Sequence, residues 1–341
     1  MKSIGCRNRF KHLFTVVALV VLHFSPIYLL EGFAQVQSKS EGNRITLADP
    51  TIFFHEGVYY LYGTVEGNVN EGFEVYSSKD LKEWEGPLGV KDGFALVKED
   101  VFGDKGFWAP QVFFYNNRFY MSYTANEQIA LAESESPLGP FVQGVKKPLE
   151  APVRQIDSHV FIDENGKKYL YHVRLDKGNR IFVAELNDDF SGIKDETLQE
   201  CIVANEQWEN TANANWPVAE GPTVLKHKNF YYLTYSANDF RNPDYAVGYA
   251  VSKSPLGPWV KVKENPILSK NNLGPNGTGH GDLFKGKNSQ LFYVFHTHQS
   301  TTAVGPRMTA IVKASFAKPE SEKKSTKLKL DLKSFYYLKK K

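Results

Sequence analysis

Two cysteines among 341 residues, Cys6 and Cys201, are too few to staple a fold. Cys6 lies in an N-terminal segment expected to be removed, which leaves Cys201 with no partner for an internal disulfide. No His or basic cluster close in sequence would lower its pKa, so it is expected to be a buried structural thiol rather than a nucleophile. Charge of one sign is not in excess: 41 Lys and Arg against 38 Asp and Glu leave a formal +3, much of it at the two ends of the chain. No basic footprint for nucleic acid crosses the middle. Amphipathic helical periodicity is missing, which argues against a helical architecture.

A long apolar run occurs once, from Phe14 to Leu30, preceded by Lys2, Arg7, Arg9 and Lys11 and followed by Gly32-Phe33-Ala34. Basic stretch, apolar run and small-x-small site in that order match a secretory signal over residues 1–34. A retained membrane anchor is the alternative, near the lower length limit for a spanning helix and weakened by His23, Ser25 and Pro26. The mature protein is expected to be secreted or periplasmic, without a membrane span. Nothing in the sequence speaks to its oligomeric state.

What the chain does have is a repeat. A polar or Pro-containing head, an apolar strand, a short turn and a Tyr/Phe-rich strand recur five times. The copies begin at Asp49-Pro50-Thr51, Ala109-Pro110-Gln111, Asp157-Ser158-His159, Glu220-Gly221-Pro222 and His280-Gly281-Asp282. Asn and Gly cluster in the turns between the paired strands, as at Glu56-Gly57 and Asn116-Asn117, where positive φ is needed. A second echo sits in register with the first: Ser136-Pro137-Leu138-Gly139-Pro140-Phe141 returns as Ser254-Pro255-Leu256-Gly257-Pro258-Trp259. An all-strand repeat of about 50 to 60 residues predicts four-stranded blades, and five of them make an all-β, five-bladed β-propeller over residues 35–317. A β-sandwich with similar hairpins is the rival. The Lys-rich stretch 318–341 is expected to supply a closing strand over Lys327 to Leu332 and then to fray.

In a propeller the first strand of each blade lines the axis, so the heads converge. Three carry acids: Asp49, Asp157 and Glu220. Acids are costly to bury singly, so three together imply a polar site, although each alone could cap a turn. Two carboxylates flanking a sugar can cut a glycosidic bond, one donating a proton to the leaving oxygen and the other activating water or attacking carbon. A third nearby raises the acid's pKa by like-charge repulsion.

The ordered set Ala48-Asp49-Pro50, Trp108-Ala109-Pro110, Ile156-Asp157, Glu220-Gly221-Pro222 and Gly279-His280-Gly281, running from about Thr46 to Lys313, resembles glycoside hydrolase family 43. The resemblance implies an inverting enzyme with Asp49 as general base, Glu220 as general acid and Asp157 as the residue that tunes and orients the acid. It implies no cofactor for the chemistry, with His280 either facing a structural calcium ion in the channel or simply hydrogen-bonded. Arg307 is expected near the sugar and the base, and Trp108 as an aromatic wall. Trp216, with Trp208, would form a rim, and His296 would reach the site. His159 departs from the common pattern and is expected to project into the pocket and alter selectivity.

The substrate implied is an oligosaccharide or polysaccharide: exo-action on arabinose- or xylose-containing plant fragments, with endo-arabinanase as the alternative. A fructan-cleaving propeller would need other head motifs, and a non-catalytic carbohydrate-binding propeller would not need all three acids.

Overall fold

The computed structural model describes residues 43–317 and 325–341. The segment 1–34 read as a signal lies outside the described residues. Among those described, no helix is long and apolar enough to cross a membrane, and the one α-helix is the four-residue Lys270–Leu273.

The second strands of the blades, such as Lys168–Leu175, Phe230–Ala237 and Leu291–Thr297, are buried almost without interruption because both of their faces are covered, and the sheets stack radially. Blade 1 is built on Leu47–His55, Val58–Val65 and Tyr76–Ser78, and blade 2 on Trp108–Tyr115, Arg118–Ala125 and Gln128–Ser134. Blades 3, 4 and 5 are full antiparallel four-stranded sheets, starting at Gln155–Ile162, Ala219–His227 and Gly279–Lys285. The turns follow the expected chemistry. Glu56 and Gly57 (φ 48° and 84°) and Asn116 and Asn117 (φ 48° and 60°) close two-residue hairpins with both residues left-handed.

Five hydrophobic clusters fill the wedges between neighbouring blades. Tyr62 and Val75 meet Val112 and Met121 between blades 1 and 2, and Ile129 and Leu149 meet Val160 and Leu170 between blades 2 and 3. Tyr171 and Val183 meet Val224 and Leu233 between blades 3 and 4. Val247 and Tyr249 meet Leu283 and Tyr293 between blades 4 and 5, and Phe284 and Val294 of blade 5 meet Ile52 and Leu61 of blade 1. No core belongs to one blade, so each blade depends on its neighbours for burial of its faces. The two echoed Ser-Pro-Leu-Gly-Pro segments serve these wedges: Tyr62 OH donates to Pro137 O at 2.5 Å, and Tyr171 OH to Pro255 O at 2.6 Å.

Closure is made by the two ends of the described chain. The outer strand of blade 5, Leu328–Tyr337, runs past Leu332, and Lys339–Lys340 then pairs in parallel with Glu83–Trp84 of blade 1. Ile45 N–H donates to Leu338 O at 3.0 Å and Lys340 N–H to Asn43 O at 2.7 Å. The basic end expected to fray is paired, because fully buried Leu338 anchors it in the core that also holds Trp84.

Candidate active site

Each innermost strand breaks register once, at Ala48/Thr51, Trp108/Gln111, Ile156/His159, Glu220/Thr223 and Gly279/Asp282. Two residues there oppose one on the second strand, as in a β-bulge. The first bulged residue is left-handed in every blade: Asp49 (φ 48°), Ala109 (47°), Asp157 (56°), Gly221 (59°) and His280 (41°). Four of these are not glycine, a conformation that costs about 1–2 kcal/mol per residue and persists where surrounding structure imposes it. The three acids are therefore not in equivalent places, contrary to what the heads suggested. Asp49 and Asp157 occupy the bulge, whereas Glu220 sits one residue earlier, at the position of Ala48, Trp108, Ile156 and Gly279.

The bulges are held by a ring of inter-blade hydrogen bonds. Thr64 Oγ1 accepts the Ala109 N–H (3.0 Å), Thr124 Oγ1 that of Asp157 (3.0 Å), Ser236 Oγ that of His280 (2.7 Å), and His296 Nδ1 that of Asp49 (3.1 Å). Each acceptor lies opposite the residue before its own blade's bulge and reaches the next blade. In blade 3 that place is Val173, which cannot accept. The Gly221 N–H donates instead to Asp157 Oδ2 at 3.2 Å, tying Asp157 to the backbone beside Glu220.

Above the ring opens a cavity of about 900 Å³ lined by Asp49, Asp157, Glu220, Trp108, Trp216, His280 and Arg307 among others. Asp49 has four polar neighbours. Oδ1 lies 3.0 Å from Arg307 Nη1 and 3.3 Å from His280 Nδ1, Oδ2 accepts from Thr64 Oγ1 at 2.7 Å, and His296 holds its backbone. Burial alone would raise its pKa. Arg307, then the two histidines and Thr64, outweigh burial and hold the carboxyl well below the usual carboxylate range. Arg307 is fixed in turn: its Nε donates to Glu66 Oε1 at 2.6 Å, and its guanidinium covers the Phe240 ring at 4.6 Å. Burial pushes His280 and His296 below the ordinary histidine value, so both rings are neutral at pH 7.

The other two acids are displaced the opposite way. Burial raises Glu220 to about 7, with Asp49 and Asp239 adding to it, against donors from Tyr245 OH to Oε1 and Asn179 Nδ2 to Oε2, both at 2.9 Å. Burial also raises Asp157 well above its ordinary value, with the Glu220 and Asp49 charges adding to it. The site thus holds one carboxylate that stays ionised and a facing pair that retains a proton near neutrality.

Chemically this is an ionised base and a protonated acid around a sugar-sized space. The family model for glycosyl hydrolases family 43 matches residues 44–318. The chain belongs to glycosyl hydrolase family 43. A curated relative of this family 43 chain is the β-D-galactofuranosidase of Aspergillus niger, 25% identical over 79% of each chain. Another is xylosidase/arabinosidase 43A of Humicola insolens, 28% identical over 57% of this chain and 73% of the relative. Among solved structures, an endo-1,4-β-xylanase from Bacteroides thetaiotaomicron is 40% identical with a TM-score of 0.79, covering 88% of this chain and 98% of that one. A thermostable family 43 glycoside hydrolase is 38% identical with a TM-score of 0.74, covering 84% and 93%.

Three sequence-chosen residues of the family 43 chain sit elsewhere than expected. His159 lines a separate channel cavity of about 30 Å³ beneath the bulges and does not line the large cavity. His296 is fully buried behind Asp49, a support rather than a sugar contact. Trp208 donates to Glu206 Oε2 at 2.8 Å and packs on Tyr235, away from the cavity. Trp216 is on the rim, 45% exposed.

His280 turns Nδ1 toward Asp49 Oδ1 at 3.3 Å and Asp157 Oδ2 at 3.9 Å. Among the described residues no group of three His, Cys, Asp or Glu side chains is placed to hold a metal ion, and calcium takes six to eight oxygens. Residues the sequence reading missed are Thr64, Glu66, Asn179, Asp239 and Tyr245. Only Thr64 carried a usable signal, its place opposite a head.

Proposed function

We propose that this glycoside hydrolase works with inversion and exo-action on arabinose- or xylose-containing oligosaccharides, with Asp49 as general base, Glu220 as general acid and Asp157 as modulator. The carrying observation is the opposite displacement of proton affinity at Asp49 and Glu220. Asp49, kept ionised by Arg307, draws a proton from water as it attacks the anomeric carbon. Glu220, protonated up to about pH 7, donates to the leaving oxygen. Asp157 faces Glu220, and its negative charge, when present, opposes ionisation of the acid. The names of the relatives, a xylosidase/arabinosidase and a galactofuranosidase among them, support a furanose or pentose unit. Substitution of Glu220 by Ala is expected to abolish turnover of xylo- and arabino-oligosaccharides with the fold intact. Full activity in that variant would sink the assignment, and a product of retained configuration by NMR would sink inversion.

Endo-action is a second reading, favoured by a cavity near the upper end of the roughly 300–1,000 Å³ range for small-molecule sites. The product lengths released from linear arabinan separate the two. Export through segment 1–34 belongs to the proposal and is tested by the mass of the mature protein.

A further inference from the structure

One donor to Glu220 has no part in the chemistry proposed for Asp49, Glu220 and Asp157. Asn179 donates Nδ2–H to Glu220 Oε2 at 2.9 Å, and its Oδ1 accepts the Trp216 Nε1–H at 2.9 Å. The contact is built rather than incidental: the Asn179 backbone N–H donates to Pro217 O at 2.9 Å, and Asn179 bridges in parallel to Val218. The loop carrying Trp216 is thereby stitched to the strand that carries Asn179.

A carboxamide can meet a carboxyl group with either end. Its NH₂ only donates and favours the carboxylate, whereas its carbonyl only accepts and favours the protonated acid. An indole N–H only donates. Trp216 therefore draws Oδ1 to itself and leaves Nδ2 facing Glu220.

We propose that Asn179 is a positioning residue for Glu220 and that the Trp216 indole N–H sets its polarity, biasing the amide toward the form that releases the proton. The proposal rests on Glu220 being the general acid. The other groups facing Glu220 are Tyr245, which donates to Oε1, Asp157 on blade 3, Asp49 on blade 1, and Asp239 and Arg241 after the second strand of blade 4. Exchanging the indole for a phenyl ring removes the N–H together with the five-membered ring that carries it and keeps a flat apolar face; Trp216 makes no hydrogen bond to Glu220 itself, so of the direct donors to Glu220 it is Asn179 that changes sense.

The test is the pH profile of kcat/KM on xylotriose and arabinotriose. Trp216→Phe keeps an aromatic face and frees Asn179 to turn its carbonyl to the protonated acid. The alkaline limb is expected to rise by about half a unit to one unit. In an Asn179→Ala background, Trp216→Phe is expected to add no further shift, a double-mutant cycle that separates polarity from stacking. An unmoved limb in Trp216→Phe, with only KM raised, overturns the proposal. So does the same shift appearing without Asn179. Full activity of Glu220→Ala would instead overturn the parent assignment, so the two failures are distinguishable. Trp216 lies on the exposed rim, and an unchanged melting temperature of Trp216→Phe confirms that the fold is intact.

Discussion

Thr64 Oγ1 donates to Asp49 Oδ2 at 2.7 Å while accepting the Ala109 N–H at 3.0 Å. One hydroxyl thus orients the proposed base and latches blade 1 to blade 2. Thr64→Val keeps the shape and removes both bonds. It is expected to lower kcat by about tenfold or more, as displacement of a positioned group does, and to lower stability by about 1–3 kcal/mol because the buried Ala109 N–H loses its acceptor. Steady-state kinetics and urea unfolding check the two effects.

The raised acid has a signature in stability. A carboxyl whose folded pKa exceeds its unfolded one contributes full stability below the unfolded value and loses it as pH rises through the folded value. For Glu220 the window runs from its ordinary 4.5 to about 7. The loss is on the order of 3 kcal/mol by the conversion of 1.36 kcal/mol per unit. Glu220→Gln is therefore expected to raise the melting temperature relative to wild type at pH 8 and to show a smaller or no advantage at pH 4.

Arg307 holds Asp49 ionised. With Arg307→Met the base keeps its burial and loses its nearest cation, so its pKa rises. An acid limb absent from the wild-type kcat/KM profile is expected to enter the measurable range, with activity falling as pH drops below about 5. A variant profile that stays flat on the acid side would show that the histidines and Thr64 suffice.

Val173 is the gap in the latch ring. Val173→Thr supplies the hydroxyl that blades 1, 2 and 4 have, and it is expected to take the Gly221 N–H from Asp157. Asp157 then loses a donor that favours its charged form, holds its proton more firmly and repels Glu220 less. The alkaline limb of kcat/KM is expected to move to lower pH. Val173→Ala, which offers no acceptor, leaves it in place.

Ring closure is noncovalent and turns on fully buried Leu338. Leu338→Ala is expected to cost about 2–5 kcal/mol, seen as a lowered melting temperature, with the pH profile of the remaining activity unchanged because the site lies at the axis.

Much of the fold was legible in order along the chain, because each blade is a local hairpin unit with its own turn chemistry. Glu56-Gly57 and Asn116-Asn117 announce positive φ, the Tyr-rich strands announce two buried faces, and five repeats announce a closed ring. The acids Asp49, Asp157 and Glu220 could be picked out because carboxylates ahead of apolar strands are unusual. His159 misled for a local reason: directly after the bulge, it lines the narrow channel instead of the funnel.

By itself the sequence determined the blade count, the head residues and the acids on them, all of which depend on neighbours a few residues away. The one-residue offset of Glu220 followed only from where each strand breaks register against its partner. The division of charge was likewise tertiary, since Arg307 reaches Asp49 across 258 positions of chain, and Asn179, at the start of one strand, and Tyr245, just before another, reach Glu220 from segments whose sequence carries no mark of it. Coulombic and hydrogen-bond terms depend on separation in space, and in a closed ring the pairs that set proton affinity come from different blades.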